Sequence, residues 1–249
     1  MNLVDLLELK NKKALVSIAG GGGKTTTLFE LGKGLCGYSV LLTTTTKIMK
    51  PAPSPLYRIL EDSCSDTGLW DEIKKDRSIP LVYGCCSDAY PGKLTGVSFS
   101  FLKEAREFFE YIIVESDGSA RRPLKAPASH EPVISPETDI FIGIIGLDAL
   151  FQKGDETTVH RPELFASIRF KDPEEPVTKD DLIRLINHRE GLFKNAPPNC
   201  RKVILLNKAD LIVREEGEDL CRQVKRELIF EGTVALNSYK ESDPILFSL

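Results

Sequence analysis

The chain lacks a long hydrophobic run. Its longest uncharged apolar stretch, Ile140–Leu147, is eight residues long, whereas a membrane-spanning helix needs about 20. The first residues, Met1–Lys13, do not resemble a secretion signal, because Asp5 and Glu8 lie among the leucines and favour a short amphipathic helix. We therefore expect a cytoplasmic protein with no membrane partner.

The sequence also lacks an excess of positive charge. Its 33 lysine and arginine residues are outnumbered by 37 aspartate and glutamate residues, and the formal net charge is −4. A protein that binds nucleic acid carries a basic surface that dominates its charge balance. The composition therefore predicts no nucleic-acid partner.

Cysteine is sparse and is not arranged as in metal-binding fingers. None of the six cysteines forms a C-x-x-C pair, and in a reducing compartment we interpret most of them as small core residues. Cys85 and Cys86 differ, because these adjacent thiols follow an apolar run where a strand is expected to meet a loop. A chemical role and simple packing both remain open for this pair.

What the sequence does contain is an alternation of apolar segments with amphipathic ones. Apolar segments that alternate with helices form a parallel sheet that is covered on both faces. The pattern predicts an α/β fold with a mostly parallel sheet and helices on both faces. The predicted strands are Ala14–Ala19, Ser39–Thr43, Ile79–Tyr83, Tyr111–Val114, Asp139–Ile145, Lys202–Leu206 and Thr233–Leu236, and the predicted helices are Lys24–Leu35, Phe99–Phe109, Lys179–His188 and Glu215–Ile229.

Four consecutive glycines, Gly20–Gly23, follow the first predicted strand and precede Lys24, Thr25 and Thr26. In such a segment, backbone N–H groups can surround a polyphosphate, the lysine can contact the β- and γ-phosphates, and a threonine hydroxyl can bind Mg²⁺. We therefore predict a phosphate-binding loop and a P-loop NTPase-like fold. A flexible glycine turn is the alternative.

The glycine run departs from the usual G-x-x-x-x-G-K-[ST] spacing. Ile18 stands six residues before the lysine, where that pattern has a glycine. The loop is therefore predicted to be shortened, similar to the compact G-x-x-G-K-T-T loop of Mur-type ligases. We predict one P-loop nucleotide-binding domain over residues 1–249, with a helical insertion near residues 160–198.

Polar side chains follow two other predicted strands. Thr43–Thr46 come after the second strand, where a hydroxyl of Thr44 or Thr45 could bind Mg²⁺ or a phosphate; the tail of a strand is the alternative. Glu115 and Asp117 follow an apolar strand and should point to the same side of it, so both could serve a magnesium site. A surface turn is the alternative there.

Two further groups of residues are candidates for phosphate chemistry and base recognition. Arg122 and Arg161 could stabilise charge during phosphoryl transfer, or they could lie in solvated loops. Asn207, Lys208 and Asp210 follow a late strand, where the carboxylate could accept hydrogen bonds from guanine. The short glycine loop, in contrast, is more typical of enzymes that bind adenine. Weighing the two signals, we predict GTP in preference to ATP.

Several segments together resemble the YqeC family, selenium-dependent hydroxylase accessory proteins. The resemblance implies a P-loop protein that takes part in maturation of selenium-dependent molybdenum hydroxylases, with such an enzyme or its cofactor as partner. Ser116 stands where the family segment Glu-Ala-Asp-Gly has alanine. The segments that carry the resemblance are Gly20–Thr26, Thr43–Thr46, Val114–Ser119, Arg122–Pro127, His130–Pro132, Val159–Glu163 and Asn207–Asp210.

The sequence thus predicts a Mg²⁺-dependent nucleoside triphosphatase. A nucleotide-switched cofactor chaperone, or a kinase or ligase with a short phosphate loop, is the alternative. The expected catalytic residues are Lys24, Glu115, Asp117, Arg122 and Arg161; the expected nucleotide contacts are Gly20, Gly21, Gly22, Gly23, Lys24, Thr25, Thr26, Asn207, Lys208 and Asp210; and the expected Mg²⁺ ligands are Thr25, Thr44, Glu115 and Asp117.

Overall fold

The computed structural model describes residues 1–10, 12–62, 70, 79–86 and 89–249. Strands within the described residues are β1 (Ala14–Gly20), β2 (Val40–Thr44), β3 (Lys47–Met49), β4 (Arg58–Asp62), β5 (Leu81–Cys85), β6 (Lys93–Thr95), β7 (Tyr111–Glu115), β8 (Leu124–Lys125), β9 (Ile140–Gly146), β10 (Val159–His160), β11 (Arg201–Asn207), β12 (Thr233–Asn237) and β13 (Ile245–Ser248). Helices there are α1 (Leu3–Leu6), α2 (Lys24–Gly34), α3 (Phe99–Ala105), α4 (Pro162–Arg169), α5 (Lys179–Asn187) and α6 (Arg214–Glu227).

Eleven strands of the described residues form one mixed sheet. Its order is β13-β12-β11-β9-β1-β7-β2-β5-β6-β3, with β4 paired to β5. The pairs from β12 through β5 are parallel, and antiparallel pairing is confined to β13 at one edge and to β6 and β3 at the other. The predicted α/β fold with a mostly parallel sheet is confirmed.

Helices cover both faces of this sheet. Successive side chains of a strand point to opposite faces, and Leu15 and Val16 of β1 accordingly pack into different apolar clusters. Val16 packs with Leu28 and Leu31 of α2 on one face. Leu15 packs with Leu102 of α3 on the other face. The other face is completed by α4, α5 and α6, whose buried residues pack on β9, β11 and β12.

Each predicted strand and helix overlaps an observed element. Among the strands the third shows the largest offset, since it begins at Leu81 rather than Ile79, and the helix predicted over Phe99–Phe109 ends four residues earlier, at Ala105. The amphipathic segment Met1–Lys13 is helical only over Leu3–Leu6, because Glu8 adopts a positive φ of 55°, which a helix cannot continue. The short strands β3 and β6 were missed because three residues give no clear periodicity.

The carboxyl ends of the parallel strands meet at one edge of the sheet. The glycine run leaves β1 there and enters α2 directly, while Glu115 ends β7 and Asn207 ends β11. The segment near residues 160–198 contains α4 and α5, and the domain boundaries proposed from sequence stay a prediction. In the described parts of the chain, none of the helices has the length and apolar character to cross a membrane.

Candidate functional site

The glycine run is packed so closely that side chains are excluded. Gly20 has a φ of +105°, and a Cβ atom on it would lie 2.2 Å from the carbonyl oxygen of Ile144. Gly22 has a φ of +79°, and a Cβ there would lie 2.4 Å from the Cα atom of Gly146. Contacts below 3 Å with backbone force a shift of the main chain. The run is therefore a fixed loop held against β9 and is not a flexible turn.

The backbone N–H groups of this loop fall into two sets. Those of Gly20, Gly21 and Gly22 donate within the protein, to Asp117 (3.2 Å), Ile144 (2.9 Å) and Arg122 (3.0 Å). Those of Gly23–Thr26 have no protein acceptor among the described residues. The free donors are thus the first N–H groups of α2, where the positive end of the helix dipole favours an anion.

Lys24 and Asp117 belong to a buried ionic cluster beneath the loop. The Nζ atom of Lys24 donates to the carbonyl of Gly20 at 2.7 Å and lies 3.3 Å from Asp117. Asp117 is also 3.1 Å from Lys125, whose ammonium lies 2.9 Å from Glu131. Five charges are linked in this way, because Glu131 also pairs with Arg161.

The ionic cluster is strongly shielded from solvent. The side chains of Lys24, Asp117 and Lys125 are at most 3% exposed. Although burial acts to raise the pKa of Glu131, hydrogen bonds from Lys125 and Arg161 lower it below the ordinary value. Burial lowers the pKa of the neighbouring His160, and the charges of Arg161 and Lys125 add to that effect. The cluster therefore favours the ionised form of Glu131 and the neutral form of His160.

Glu115 and Thr25 form the acidic part of the site. The Thr25 hydroxyl donates to the Glu115 carboxylate at 2.7 Å. Burial raises the pKa of Glu115, although the charge of Lys24 and the Thr25 hydrogen bond oppose that shift. These oxygens suit Mg²⁺, a hard cation that takes one or two protein ligands and completes its shell with water and phosphate oxygens. The described residues contain no group of three or more metal-binding acid, histidine and cysteine side chains.

The loop is tied to β11 and β12 through two amides. The Asn207 side chain donates to the carbonyl of Gly22 at 2.8 Å and accepts from Asn237 at 2.7 Å. Three residues later, Asp210 accepts from the Ser238 hydroxyl at 2.9 Å and pairs with Lys240 at 2.6 Å. The segment expected to contact a base is thus linked through Asn207 to the glycine run.

A cleft of about 590 Å³ opens over the free N–H groups. Its volume lies in the range of small-molecule sites, about 300–1,000 Å³. Five cationic side chains and one carboxylate line it, so its charge suits an anion. The lining consists of Gly22, Gly23, Lys24, Thr25, Thr26, Lys47, Ile48, Met49, Lys93, Glu115, Gly118, Ser119, Ala120, Arg121 and Lys208.

Several residues expected in the site lie away from this cleft. β7 ends at Glu115, so the strand alternation does not extend to Asp117, which turns beneath the loop to Gly20. Thr44 donates its hydroxyl to the backbone carbonyl of Glu115 at 2.7 Å. Arg122 donates to the carbonyl of Thr157 at 3.2 Å, and Arg161 pairs with Glu131. None of these side chains is in the lining.

Sequence reasoning missed three cations of the cleft, namely Lys47, Lys93 and Arg121. Lys47 and Lys93 belong to the short antiparallel pair of β3 and β6, which has no recognisable motif. Arg121 and Arg122 are adjacent in sequence, and the backbone decides which of the two faces the cleft. Ala120 and Arg121 both have positive φ, 49° and 63°, and this turn carries Arg121 to the cleft.

The adjacent cysteines are in different chemical states. Cys85 is disulfide-bonded, whereas Cys86 is a free, exposed thiol. Cys200 and Cys221 are buried, and burial raises the pKa of the Cys221 thiol to about 12. Neither Cys85 nor Cys86 lines the cleft.

Fold and site together define an α/β protein in which a rigid glycine loop enters a helix at the carboxyl edge of a parallel sheet. A model of the YqeC family, described as YqeC protein, matches residues 16–163. The chain is also 33% identical over 215 residues to an Escherichia coli (strain K12) protein described as "Uncharacterized protein YqeC", covering 83% of this chain and 80% of that relative. The chain belongs to the YqeC family, and the family resemblance seen in the sequence is confirmed.

Proposed function

We propose that this protein is a Mg²⁺-dependent nucleoside triphosphatase that acts as an accessory protein for selenium-dependent molybdenum hydroxylases. The observation that carries the nucleotide part is the set of free N–H groups at Gly23–Thr26, which opens into a cationic cleft beside Lys24. Membership of the YqeC family supports the accessory part, with a hydroxylase or its cofactor as partner.

The triphosphate would bind at the start of α2. Its oxygens would accept from the N–H groups of Gly23–Thr26, and the Lys24 ammonium would contact the outer phosphates. Lys24 is held at the site by Gly20 and Asp117. Asp117 therefore acts by positioning the lysine and the loop, and it has no direct contact with the cleft.

Mg²⁺ would be held by Thr25 and Glu115, together with phosphate oxygens. When bound, it would supply positive charge that neutralises the phosphates. Because burial raises the pKa of Glu115, the carboxylate is poised to gain from a cation or to hold a proton. Glu115 is the cleft carboxylate available to orient an attacking water.

The base would lie near Asp210, and we propose guanine. A carboxylate accepts hydrogen bonds from the N1–H and the exocyclic amine of guanine, whereas adenine offers no such pair on that edge. The hydrogen bond from Lys240, followed by that from Ser238, lowers the pKa of Asp210 and favours its ionised form. The bond from Asn207 to Gly22 would set the distance between base and phosphate contacts.

A nucleotide-controlled chaperone with slow turnover is the second candidate. One observation favours it: Arg122 and Arg161, the arginines expected to stabilise the transition state, are bonded to Thr157 and Glu131 outside the cleft. Turnover separates the two functions. Enzymes commonly reach about 1–1,000 per second, and a rate below about one per minute without a partner favours the chaperone.

Asp210→Asn tests the base contact. Xanthine carries a carbonyl where guanine carries the exocyclic amine, so an asparagine amide should pair with xanthine better than a carboxylate does. We expect the variant to lose about tenfold or more in affinity for GTP, roughly 1.4 kcal/mol, to gain affinity for XTP, and to leave ATP binding unchanged, as measured by titration calorimetry with Mg²⁺.

Asp219→Asn is the matched control, because Asp219 is a 72% exposed residue of α6 paired only with Arg222 among the described residues. It should bind GTP as the wild type does. An equal loss of GTP and ATP binding in Asp210→Asn would contradict guanine recognition. Wild-type protein that binds none of the nucleotides would contradict the proposed function as a whole.

A further inference from the structure

The cleft has two walls of different construction. One wall is the phosphate loop with Lys24, Thr25 and Thr26. The other wall, here termed the β3–β6 wall, consists of Lys47, Met49, Lys93 and Arg121. The triphosphate proposed above would occupy the first wall, and it leaves the charges of the second wall without a function.

The strand pairing explains why these side chains share one wall. β3 and β6 are antiparallel, with Met49 opposite Lys93 and Ile48 opposite Leu94. Residues that are directly opposite point to the same face. Ile48 and Leu94 are 3% and 0% exposed and form the inner face of this strand pair. Lys47, Met49 and Lys93 therefore form its outer face, where they meet the cleft.

The three cations of the β3–β6 wall have no carboxylate partner among the described residues. Lys47 instead lies over the Tyr90 ring, with its Nζ atom 3.5 Å from the ring centroid. Like charges brought into one cleft repel one another unless an anion lies between them. The positive φ of Arg121 adds backbone strain to the arrangement.

Apolar surface accompanies these charges. The Met49 side chain lines the cleft and is 52% exposed, and Tyr90 behind Lys47 is 41% exposed. An exposed methionine beside three cations suits a ligand that carries both an anionic group and a ring. A simple inorganic ion would leave the methionine uncovered.

We infer that the β3–β6 wall is a second ligand subsite, which takes a phosphorylated, ring-bearing small molecule while a nucleoside triphosphate occupies the phosphate loop. This inference rests on the proposed function for the first ligand only. Lys47, Lys93 and Arg121 bind the phosphate of the second ligand, and Met49 contacts its ring. Both ligands then lie in one cleft, with Glu115 on its lining.

Lysine labelling by pyridoxal 5′-phosphate tests this inference, because the probe carries a ring, a phosphate and an aldehyde. The aldehyde condenses with a lysine amine and loses water, and borohydride reduces the imine to a stable amine. Peptide mass spectrometry then identifies each labelled lysine. We expect Lys47 and Lys93 to react at least tenfold faster than Lys33, whose side chain is 62% exposed outside the cleft.

Two further arms complete the experiment. Labelling of Lys47 and Lys93 should persist with Mg²⁺ and the slowly hydrolysed analogue GTPγS, and should fall about tenfold in Arg121→Gln. Labelling no faster than that of Lys33, labelling abolished by GTPγS, or labelling unchanged in Arg121→Gln would each overturn the second subsite.

Failure of the proposed function would be recognised separately. In that case GTPγS would neither bind in calorimetry nor protect Lys208, the cleft lysine on the side of β11. The reactivity of Lys47 and Lys93, and its dependence on Arg121, would still decide whether the β3–β6 wall binds a phosphorylated molecule.

Discussion

The two walls of the cleft are built on different physical principles. The glycine loop is held in place by packing and by buried charges. Its glycines lie against backbone atoms, and the N–H group of Gly20 donates to Asp117. Lys24 and Asp117 are almost fully buried. The β3–β6 wall presents exposed cations from a short antiparallel strand pair at the edge of the sheet. A buried charge needs partners, and the protein is strongly destabilised when one of them is removed. An exposed charge costs little to change.

This difference teaches which wall is general and which is specific. A rigid loop with free N–H groups suits phosphate, which is common to all nucleotides. Exposed side chains on an edge strand pair can change without loss of the fold, so the β3–β6 wall suits a ligand that must be distinguished from others. Variants that affect stability should therefore lie in the glycine loop and the charges beneath it, and variants that affect ligand choice should lie on the β3–β6 wall.

The largest effect is expected from Asp117→Asn. Asp117 accepts from Gly20 and is paired with Lys24 and Lys125. Loss of one partner from a buried ionic group typically costs about 3–5 kcal/mol, and urea unfolding should show a loss of that size. The exposed control Asp219→Asn should change the free energy of unfolding by less than about 0.5 kcal/mol. A loss below about 1 kcal/mol for Asp117→Asn would contradict a stabilising role of the ionic cluster.

A somewhat smaller effect is expected from Gly20→Ala. Gly37 also has a positive φ, +96°, but a Cβ there meets nothing within 4 Å, whereas at Gly20 it meets the Ile144 carbonyl at 2.2 Å. Gly37→Ala should therefore cost only the backbone strain, about 1–2 kcal/mol. Gly20→Ala should cost roughly 3 kcal/mol in urea unfolding. Equal losses would mean that the loop can move away from β9.

The smallest effect is a dependence of stability on pH. Burial raises the pKa of Glu115, so the folded protein binds that proton more tightly than the unfolded chain. Its contribution to stability must then fall as pH rises from the ordinary glutamate pKa towards the raised folded value. The glutamine of Glu115→Gln does not titrate, so the free energy of unfolding of the variant relative to the wild type should increase as the pH rises above the ordinary glutamate pKa of about 4.3.

The matched control for this pH series is Glu156→Gln, at an exposed position. Its difference from the wild type should stay constant across the series. A constant or opposite trend for Glu115→Gln would contradict the raised pKa. Saturating Mg²⁺ should reduce the gain of Glu115→Gln, because a cation beside the carboxylate favours its ionised form.

The sequence was most informative where local patterns decide the structure. The apolar runs of β1 and β7 and the glycines between β1 and α2 were identified correctly, because periodicity and glycine content are local properties. The facing of Asp117 was not predictable, since it depends on β7 ending at Glu115. The link of Asp117 to Lys125 and Glu131 depends on the same turn.

The β3–β6 wall could not be predicted from the sequence for another reason. β3 and β6 have three residues each and are separated by more than forty positions. Their pairing places Met49 opposite Lys93, and only tertiary structure reveals this. Similarly, Arg121 and Arg122 are adjacent in sequence, and the positive φ of Arg121 determines which of them reaches the cleft.

The most direct test of the central claim is calorimetric titration of Mg²⁺ and GTPγS into the wild type, Lys24→Ala and Lys33→Ala. Lys33 lies on the same helix as Lys24 but is 62% exposed. We expect micromolar or tighter binding by the wild type and by Lys33→Ala, and binding about 100-fold weaker, near 2.7 kcal/mol, by folded Lys24→Ala. Absence of binding in the wild type, or equal affinity in all three proteins, would contradict a nucleotide site at the glycine loop.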